Sequence, residues 1–543
     1  MARTPVVTEA EYVVVGGGSA GCAAAARLAQ AGRSVVLIEA GKSDVRNYLV
    51  NKPGMIGPMH AEPRLKRLVD WGYHTVPQVH ARNRQLPQPR GKVLGGSSSI
   101  NGLLWVRGNR ANYDAWAADM GAAGNAWNAE SVNAAYKRIE DFEDGENDYR
   151  GAGGPIKVTR HNQPTEASLA FQQAAARTLD VKVVADYNAA EQEGMSTFQQ
   201  SAAKGQRYST SKGYLHEQEL PTLTTLTQVH ATRVIVENGR ATGVEVADAK
   251  GTRHVISASA EVVLSAGVFG SAQLLMLSGV GHPDHLAAHG IPVVADLPVG
   301  DNLHDHLFVP TTWEMPSALH HGTPLYFARG LAKEMTVGNS FLANSVFETV
   351  GFVRTSQATT VPDLQLHVLP WAYPSPNQDA PIRHEVDKRA ALTVMSSLIY
   401  PRSRGSLRLR SSDPYAEPLI DFKYLAEPHD HQVLLEGVQM IRDIVANPAM
   451  GDLVKSEIHP GRALDAEAMK TEITNRATSI YHGVGSCRMG VDERAVVDPT
   501  LRVRGVEGLR VADASIMPSI IGGNTNAPSV MIGDRCAEFI LES

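Results

Sequence analysis

The 543-residue chain is poor in cysteine and has no long apolar run. Its three cysteines, Cys22, Cys487 and Cys536, are too few and too far apart for a disulfide framework, so we expect a reducing, cytoplasmic setting. No stretch of about 18 apolar residues could cross a bilayer. The opening residues, MARTPVVTEAEY, lack the apolar segment of a secretory signal. These absences predict a protein without a membrane span.

A large charge of either sign is also missing. The net charge of −6 and the pI near 6.4 give no overall positive excess for binding nucleic acid or an anionic membrane. Hydrophobic residues make up 43% of the chain and charged residues 20%, which is typical of a globular protein. The length allows two or three domains.

Near its start the sequence has the pattern of a dinucleotide-binding unit. Residues 12–15 form a short β-branched run typical of a buried strand. Gly16, Gly18 and Gly21 follow with G-x-G-x-x-G spacing. The first glycine allows a tight turn, the second lets a pyrophosphate approach the backbone, and the third lets the next helix pack closely on the sheet.

The residues after these glycines extend the pattern. Residues 20–31 predict an Ala-rich helix whose N-terminus would attract phosphate, and residues 34–38 predict a second strand. Glu39 ends that strand, where a ribose hydroxyl is usually bound. Ser19 also satisfies G-x-S-x-G, the nucleophile elbow of an α/β-hydrolase. That elbow needs several strands before it, whereas only one precedes Ser19, so the nucleotide interpretation is favoured.

The middle of the chain predicts further elements. Residues 41–90 carry little periodicity and are interpreted as a lid-like excursion. Residues 89–108 form a loop rich in glycine and serine but interleaved with apolar residues, which argues for burial. Asn238-Gly239 predicts a hairpin turn, and residues 265–267 predict a second strand-to-helix turn. Alternating patterns from about 307 to 410 predict an antiparallel sheet that would form a substrate wall.

Several helices are predicted around this sheet and at the end of the chain. Their ranges are 112–119, 129–144, 165–179, 432–446 and 465–475, with Asp465 suited to an N-cap. Before the last helix, Asn526 suits the N-cap and Pro528 the first turn.

Histidines are the other candidates for chemistry. His482 lies in the glycine-rich segment YHGVGSCRMG, and its side-chain type suits a general base near neutral pH. Other histidines occur close together, but no cysteine or H-E-x-x-H pattern accompanies them, so the sequence predicts no metal site. These are His282, His285 and His289, His304 and His306, and His320 and His321.

Four blocks in order resemble one family, the glucose–methanol–choline (GMC) flavin oxidoreductases. Residues 91–114 are similar to the family's first signature and residues 267–281 to its second, which departs at Val268 and Ala272. VGDNLHDH and the ending YHGVGSCRMG…DASIMP…GNTNAP also match. The resemblance implies an α/β fold with a Rossmann-like FAD-binding domain and a second, α+β substrate domain built on an antiparallel sheet.

The resemblance also implies domain boundaries and an FAD site. The FAD-binding segments would be 1–155, 223–306 and 479–543, and the substrate segments 156–222 and 307–478. The cofactor-binding residues would be Gly16, Gly18, Ser19, Ala20, Gly21, Glu39, Ala40, Val93, Gly95, Gly96, Ser97, Asn101, Gly102, Leu103, Val234, Ala266, Asp513, Ala514, Asn526 and Ala527.

In the chemistry that the resemblance implies, an alcohol is oxidised to an aldehyde or ketone. His482 takes the hydroxyl proton as hydride passes to the flavin, and Asn526 binds the substrate oxygen. The helix that begins near Ala527 offsets negative charge on the cofactor. Ile100 occupies the position of the histidine that attaches FAD covalently in some members, so non-covalent FAD is predicted.

The resemblance leaves several alternatives open. The family includes non-redox lyases, and the electron acceptor could be O2 or another carrier. The oligomeric state and the particular alcohol are also undetermined. Specificity is expected to reside in residues 310–390, which contain Trp313, His320, His321, Tyr326, Trp371 and Tyr373.

Overall fold

A computed structural model of the chain describes residues 8–316, 323–338, 340–373, 375–376, 384–385, 389–461 and 464–543. The strands are β1 (Glu9–Val15), β2 (Val35–Glu39), β3 (Tyr73–His74), β4 (Pro87–Gln88), β5 (Glu140–Phe142), β6 (Ile156–Arg160), β7 (Gly194–Thr197), β8 (Gln199–Gln200), β9 (Ala202–Ala203), β10 (Gln206–Arg207), β11 (Leu223–Thr227), β12 (His230–Glu237), β13 (Arg240–Ala247), β14 (Arg253–Leu264), β15 (Leu307–Glu314), β16 (Thr349–Val353), β17 (Leu364–Leu369), β18 (Ser375–Pro376), β19 (His384–Glu385), β20 (Ala391–Leu398), β21 (Ser406–Arg408), β22 (Leu419–Asp421), β23 (Ser456–His459), β24 (Thr478–Ser479) and β25 (Leu509–Val511). The helices are α1 (Ser19–Gln30), α2 (Tyr48–Asn51), α3 (Ile56–Ala61), α4 (Pro63–Lys66), α5 (Arg110–Met120), α6 (Ala129–Ile139), α7 (Glu166–Thr178), α8 (Gly267–Leu277), α9 (Pro283–Ala288), α10 (Pro324–Val337), α11 (Pro428–Val445), α12 (Ala466–Arg476) and α13 (Asn526–Leu541).

One seven-stranded sheet carries the predicted nucleotide unit. Its strand order is β11-β2-β1-β14-β13-β12, and β25 also pairs with β14. The pairs β11–β2, β2–β1, β1–β14 and β14–β25 are parallel, which places their carboxyl ends along one edge. Helix α1 packs close to this edge, and α13 packs on α1. A Cβ added at Gly533 of α13 would lie 2.1 Å from the Ala20 carbonyl oxygen, so glycine allows this close contact.

A second seven-stranded sheet has the order β23-β15-β20-β17-β16-β7, with β24 also paired to β15. All of its pairs are antiparallel. Its central strands β16, β17 and β20 are buried throughout, since α7 and α11 pack against them. The predicted combination of a Rossmann-like domain and an antiparallel substrate domain is confirmed. The strands of each sheet fall in the predicted segments, apart from the edge of β24 at Ser479, while the domain boundaries themselves stay predictions.

Three elements differ from the sequence-based expectations. The helix predicted over 129–144 ends at Ile139, because Glu140 enters strand β5 and its buried carboxylate binds Arg150. Strand β14 is continuous, whereas the apolar pattern of the sequence predicts two short strands there, at residues 254–257 and 262–264. Helix α10 lies within the region predicted as sheet and begins after Thr323, whose hydroxyl accepts from the Tyr326 N–H. No helix among the described residues is long and apolar enough to cross a membrane.

Candidate active site

A cavity of about 2480 Å³ runs from the carboxyl edge of the parallel sheet to the antiparallel sheet. Gly16, Ala40 and Ser265 follow β1, β2 and β14 directly, and all three line the cavity. In open α/β sheets, ligands bind outside the carboxyl ends of the strands. The cavity therefore has a nucleotide end at this edge. Its other end, beside the second sheet, contains His482 and is called the catalytic end.

The three motif glycines are needed for different geometric reasons. Gly16 has φ +103°, and a Cβ there would lie 2.4 Å from the Ser265 carbonyl oxygen. A Cβ at Gly21 would lie 1.9 Å from the Gly16 carbonyl oxygen, so α1 contacts the end of β1 without a side chain between them. At Gly18 the nearest atom to an added Cβ is 3.9 Å away. The backbone at Gly18 is thus open to a ligand in the cavity.

Glu39 lies at the end of β2, as predicted, and lines the cavity. Its carboxylate accepts from the Gly17 N–H at 3.0 Å and from the Gly41 N–H at 2.7 Å. Burial raises the pKa of Glu39 to about 7, although these two hydrogen bonds act in the opposite direction. The carboxyl is fixed against the glycine turn beside Ala40.

Two helix N-termini converge on the nucleotide end. Helix α1 begins at Ser19 and α13 at Asn526, and neither has a side-chain cap. The Ser19 hydroxyl donates to Asn526 Oδ1 at 2.9 Å, which joins the two helix ends. The expectation that Asn526 is the N-cap is wrong, because Thr525 occupies that position and Asn526 lies inside the first turn. The uncapped N–H groups and the open space at Gly18 fit a dinucleotide pyrophosphate.

The glycine- and serine-rich loop faces α1 across the cavity. A Cβ at Gly96 would lie 2.7 Å from the Gly18 Cα, so the two backbones approach closely. The buried Arg207 holds the loop from behind by donating to Asn101 Oδ1 at 2.6 Å and to the Ser98 carbonyl at 3.0 Å. Burial lowers the pKa of Arg207 to about 9. The predicted residues of this loop that line the cavity are Gly96, Ser97, Asn101 and Gly102.

Asp513 and Ala514 line the cavity, as does Ala266. The Asp513 carboxylate accepts from the Gly267 N–H at 2.9 Å and from the Ser271 hydroxyl at 2.5 Å. It therefore ties the β25 turn to the start of α8.

Some predicted cofactor residues do not line the cavity but pack behind the residues that do. Val234 is four residues into β12, pairs with Val244, and donates its N–H to the Ser278 hydroxyl at 2.8 Å. The prediction of a cofactor contact at this backbone is wrong. Val229 and His230, at the start of β12, line the cavity instead. Gly21, Val93, Gly95, Leu103 and Ala527 also belong to the packing behind the wall.

His482 is part of a hydrogen-bonded chain that fixes its tautomer. His306 Nε2 contacts the Ile399 carbonyl oxygen at 2.9 Å, and a carbonyl can only accept, so this nitrogen carries the proton. Burial lowers the pKa of His306 to about 3, so its ring is neutral and Nδ1 accepts. His482 Nδ1, at 3.0 Å, must then donate. His482 Nε2 therefore carries no proton, and its lone pair can only accept.

The side chain beside that lone pair is Asn524. Its Nδ2 lies 3.1 Å from His482 Nε2, and its Oδ1 accepts from Gln365 Nε2 at 3.2 Å, which fixes the amide orientation. Asn526 was expected here as the partner of His482, and that pairing is wrong. Its Oδ1 instead bonds Ser19, because Asn526 has already entered α13 while Asn524 precedes it.

The buried carboxylate of Asp305 holds the loop that carries His482. One oxygen accepts from the His482 N–H at 2.7 Å, and the other accepts from the hydroxyls of Ser479 and Tyr424, both at 2.5 Å. Tyr481 has φ +69°, an uncommon conformation for a non-glycine residue. Burial lowers the pKa of His482 well below its usual range, and His306, His367 and Arg90 lower it further. The imidazole is thus neutral.

The lining of the catalytic end is largely apolar and aromatic. Its residues include Phe308, Phe327, Phe347, Leu369, Trp371, Tyr373, Met395 and Ile480. His367 adds one polar atom, because its buried Nε2 lines the cavity without a hydrogen-bond partner among the described residues. Trp371 and Tyr373 therefore lie where specificity was expected, whereas Trp313 and Tyr326 do not line the cavity. His320 and His321 are outside the described residues.

Sequence reasoning missed the residues that orient His482. Asp305 lies in VGDNLHDH, which was noted only as part of a family pattern, and His306 was considered only for metal binding. Gln365 and His367 alternate along β17, and that alternation places both side chains on one face. The other histidines considered for metal binding make different contacts. His282 pairs with Asp301 at 3.1 Å, His285 packs on His289, and His304 accepts from the Ile520 N–H.

Comparison with known proteins agrees with this architecture. The family model "GMC oxidoreductase" matches residues 10–308, and the model of the family's C-terminal part matches residues 401–533. This chain belongs to the GMC oxidoreductase family. It is 37% identical to alcohol dehydrogenase [acceptor] of Pseudomonas putida, an alignment that covers 98% of this chain and 95% of the relative. It is also 37% identical to oxygen-dependent choline dehydrogenase of Sinorhizobium medicae, with 98% and 96% covered.

Solved structures show the same fold. Pyridoxine 4-oxidase from Mesorbium loti is similar with a TM-score of 0.86 and 26% identity, over 98% of this chain and 99% of that one. Formate oxidase is similar with a TM-score of 0.88 and 26% identity, over 99% of each chain. Membership confirms the prediction of a GMC-type FAD enzyme.

Proposed function

We propose that this GMC enzyme oxidises an alcohol to an aldehyde or ketone, with His482 as the base. The observation that carries the proposal is the unprotonated His482 Nε2, whose lone pair accepts from Asn524 Nδ2 and can accept from an alcohol hydroxyl in its place. Because the pKa of His482 is lowered, the ring is neutral and can accept the hydroxyl proton of an alcohol in the cavity. A base positioned in this way contributes about 10² to 10⁴ in rate.

Asn524, rather than Asn526, is proposed to bind the substrate oxygen together with His482. Its Nδ2 carries two protons, of which one is directed to His482 and the other is available to an oxygen in the cavity. As the alcohol loses its proton, negative charge develops on that oxygen. A fixed donor beside the oxygen stabilises this charge without reorganisation.

FAD, when bound, would supply the acceptor for the hydride that leaves the alcohol carbon. Its pyrophosphate would be held at the N-termini of α1 and α13, and its ribose beside Glu39. Non-covalent attachment remains our prediction, since Ile100 is a buried hydrocarbon side chain that cannot form a bond to the flavin. Acid denaturation should release the yellow flavin into the supernatant, and flavin that stays with the precipitate would contradict the prediction.

The catalytic end favours an alcohol with an apolar or aromatic body. A sugar would leave several hydroxyls unpaired against Phe308, Leu369 and Met395, which is costly. The rings of Trp371 and Tyr373 can hold a flat aromatic group, and they also suit a quaternary ammonium through cation–π attraction. A suitable panel therefore contains benzyl alcohol, choline and glucose.

Flavin bleaching under anaerobic conditions tests the function. We expect benzyl alcohol to bleach the flavin absorbance and glucose to leave it unchanged. If no alcohol bleaches the flavin, oxidation is excluded and a lyase-type reaction is favoured. Admitting air after bleaching then identifies the acceptor, since rapid recovery of absorbance indicates O2 and slow recovery indicates another carrier.

Replacement of the base tests the mechanism. His482→Ala should retain FAD and lose about 10² to 10⁴ in the rate of flavin reduction, measured by stopped flow. His80→Ala is the matched control, because that histidine is exposed on the surface. An unchanged reduction rate in His482→Ala would refute the assignment.

A further inference from the structure

The charge of the chain is unevenly distributed. Residues 41–92 contain ten Lys or Arg and three Asp or Glu, while the whole chain carries −6. No contact with an anionic surface was expected from the overall charge. Residues 41–92 nevertheless form a strongly basic segment. Among its cations, Arg46, Arg64 and Arg67 are exposed and make no ion pair with an acid among the described residues.

This basic segment lies at the mouth of the cavity. Lys66, Arg67 and Leu68, at the end of α4, line the cavity mouth. Leu68 is nevertheless 63% exposed, and Tyr48 of α2 is 54% exposed. Each of these apolar side chains is thus close in sequence to an exposed cation, Leu68 to Arg67 and Tyr48 to Arg46.

Helix α10 adds an apolar face to this region. Leu325, Ala328, Leu331, Ala332 and Met335 are exposed, and their spacing of three and four residues places them on one side of the helix. Met335 is 80% exposed. Arg329 and Lys333 flank this face and make no ion pair with an acid among the described residues. The face has the composition of an interfacial helix, with apolar residues bordered by cations.

The opposite face of α10 is fixed to the cavity rim. A Cβ at Gly330 would lie 2.0 Å from the ring of Phe341, so the helix rests directly on that ring. Phe327 packs against Trp371, which lines the cavity, with ring centroids 5.9 Å apart. Glu334 forms an ion pair with Lys52 near α2. The exposed apolar face is therefore held in a defined orientation next to the entrance.

We propose that Tyr48, Leu68 and the exposed face of α10, with the surrounding cations, form a docking surface for an anionic lipid membrane. Exposed apolar side chains can enter the headgroup region, and each nearby cation gains from the negative surface potential. The two features together match the two parts of a lipid interface, its apolar boundary and its anionic headgroups. The proposal does not depend on the reaction catalysed.

Vesicle sedimentation of the holoenzyme tests the proposal. We expect binding to phosphatidylglycerol vesicles and at least about tenfold weaker binding to phosphatidylcholine vesicles, with binding lost at high salt. Leu331→Asp/Met335→Asp should weaken binding about tenfold or more, and so should Arg64→Glu/Arg329→Glu/Lys333→Glu. Val255→Asp and Lys250→Glu are matched controls, since both residues are exposed in the β13–β14 hairpin region and neither lines the cavity.

Each variant is first checked for its flavin content and absorbance spectrum, which report an intact fold. Wild-type protein that stays in the supernatant with both vesicle types would overturn the proposal. Equal loss of binding in the controls would overturn it as well. A wild-type dimer that becomes monomeric in Leu331→Asp/Met335→Asp, measured by light scattering, would assign the face to a second copy of the chain instead.

Discussion

The nucleotide end and the catalytic end of the cavity are built by different means. The nucleotide end consists mainly of backbone groups, arranged by Gly16, Gly18 and Gly21 beside Glu39 and completed by the loop at Gly96 and the N-terminus of α13. The catalytic end consists of side chains from distant segments, in which His306, Gln365 and Asn524 orient His482 by hydrogen bonds. The nucleotide end therefore depends on the absence of side chains at its glycines, whereas the catalytic end depends on the identity of its side chains.

Gly21→Ala should have the largest effect, because it breaks the nucleotide end alone. The new Cβ would lie 1.9 Å from the Gly16 carbonyl oxygen, and overpacking of this kind costs about 1–3 kcal/mol or more of unfolding free energy. We expect purified protein to lose most of its FAD, measured as the ratio of absorbance at the flavin band to that of protein. Gly57→Ala is the control, since an added Cβ there meets nothing within 4 Å. Normal flavin content in Gly21→Ala would show that α1 can shift away from β1.

The second-largest expected effect distinguishes the role of Asn524 from that of Asn526. Asn524→Ala should retain FAD and slow flavin reduction by about 10²-fold, since loss of one donor to a developing oxyanion costs on the order of 3 kcal/mol. Asn526→Ala should instead weaken FAD retention, because Asn526 bonds Ser19 at the nucleotide end. Stopped-flow reduction rates and FAD titrations of both variants provide the comparison. If Asn526→Ala instead slowed flavin reduction and Asn524→Ala weakened FAD retention, Asn526 would be the partner of His482.

A smaller effect concerns the tautomer of His482. His306→Ala leaves His482 Nδ1 without its acceptor, so we expect flavin reduction to slow by about tenfold, in line with the loss of a residue that orients another side chain. His306→Gln should recover part of the rate, because its amide can accept from His482 and donate to the Ile399 carbonyl. The KM for the alcohol should change little in either variant. Equal rates in the Ala and Gln variants would indicate that His306 only fills space.

The contrast between the ends explains what the sequence could predict. The turn after β1, the role of Glu39 and the hairpin at Asn238-Gly239 depend on neighbours in sequence, so spacing and residue type suffice for them. The pairing of His482 with Asn524 rather than Asn526 depends on the residue at which α13 begins, and N-terminal boundaries are uncertain by one or two positions. Val234 was misplaced for a similar reason, since strand β12 begins four residues earlier.

The smallest expected effect is a change in apparent Tm with pH, and it has opposite signs at the two ends. Burial lowers the pKa of His306 and of His367 to about 3, below the ordinary 6.5. Their contribution to stability is therefore complete above pH 6.5 and is lost as pH falls below it. Burial raises the pKa of Glu39 to about 7, so its contribution is complete below pH 4.5 and is lost as pH rises towards 7.

These contributions partly cancel in the wild-type enzyme, and variants can separate them. Glu39→Gln removes a group whose shift corresponds to about 3 kcal/mol, so its apparent Tm should fall less than that of the wild type between pH 5 and 7.5. His306→Gln should lose less stability than the wild type between pH 6.5 and 4.5, because one neutral buried imidazole no longer has to be protonated on unfolding. Scanning fluorimetry of the holoenzyme measures the change in apparent Tm with pH for the wild type and for both variants. If both variants changed the apparent Tm over the same pH range, the two ends would not titrate independently. The distinction between a nucleotide end and a catalytic end would then be wrong for pH-dependent stability.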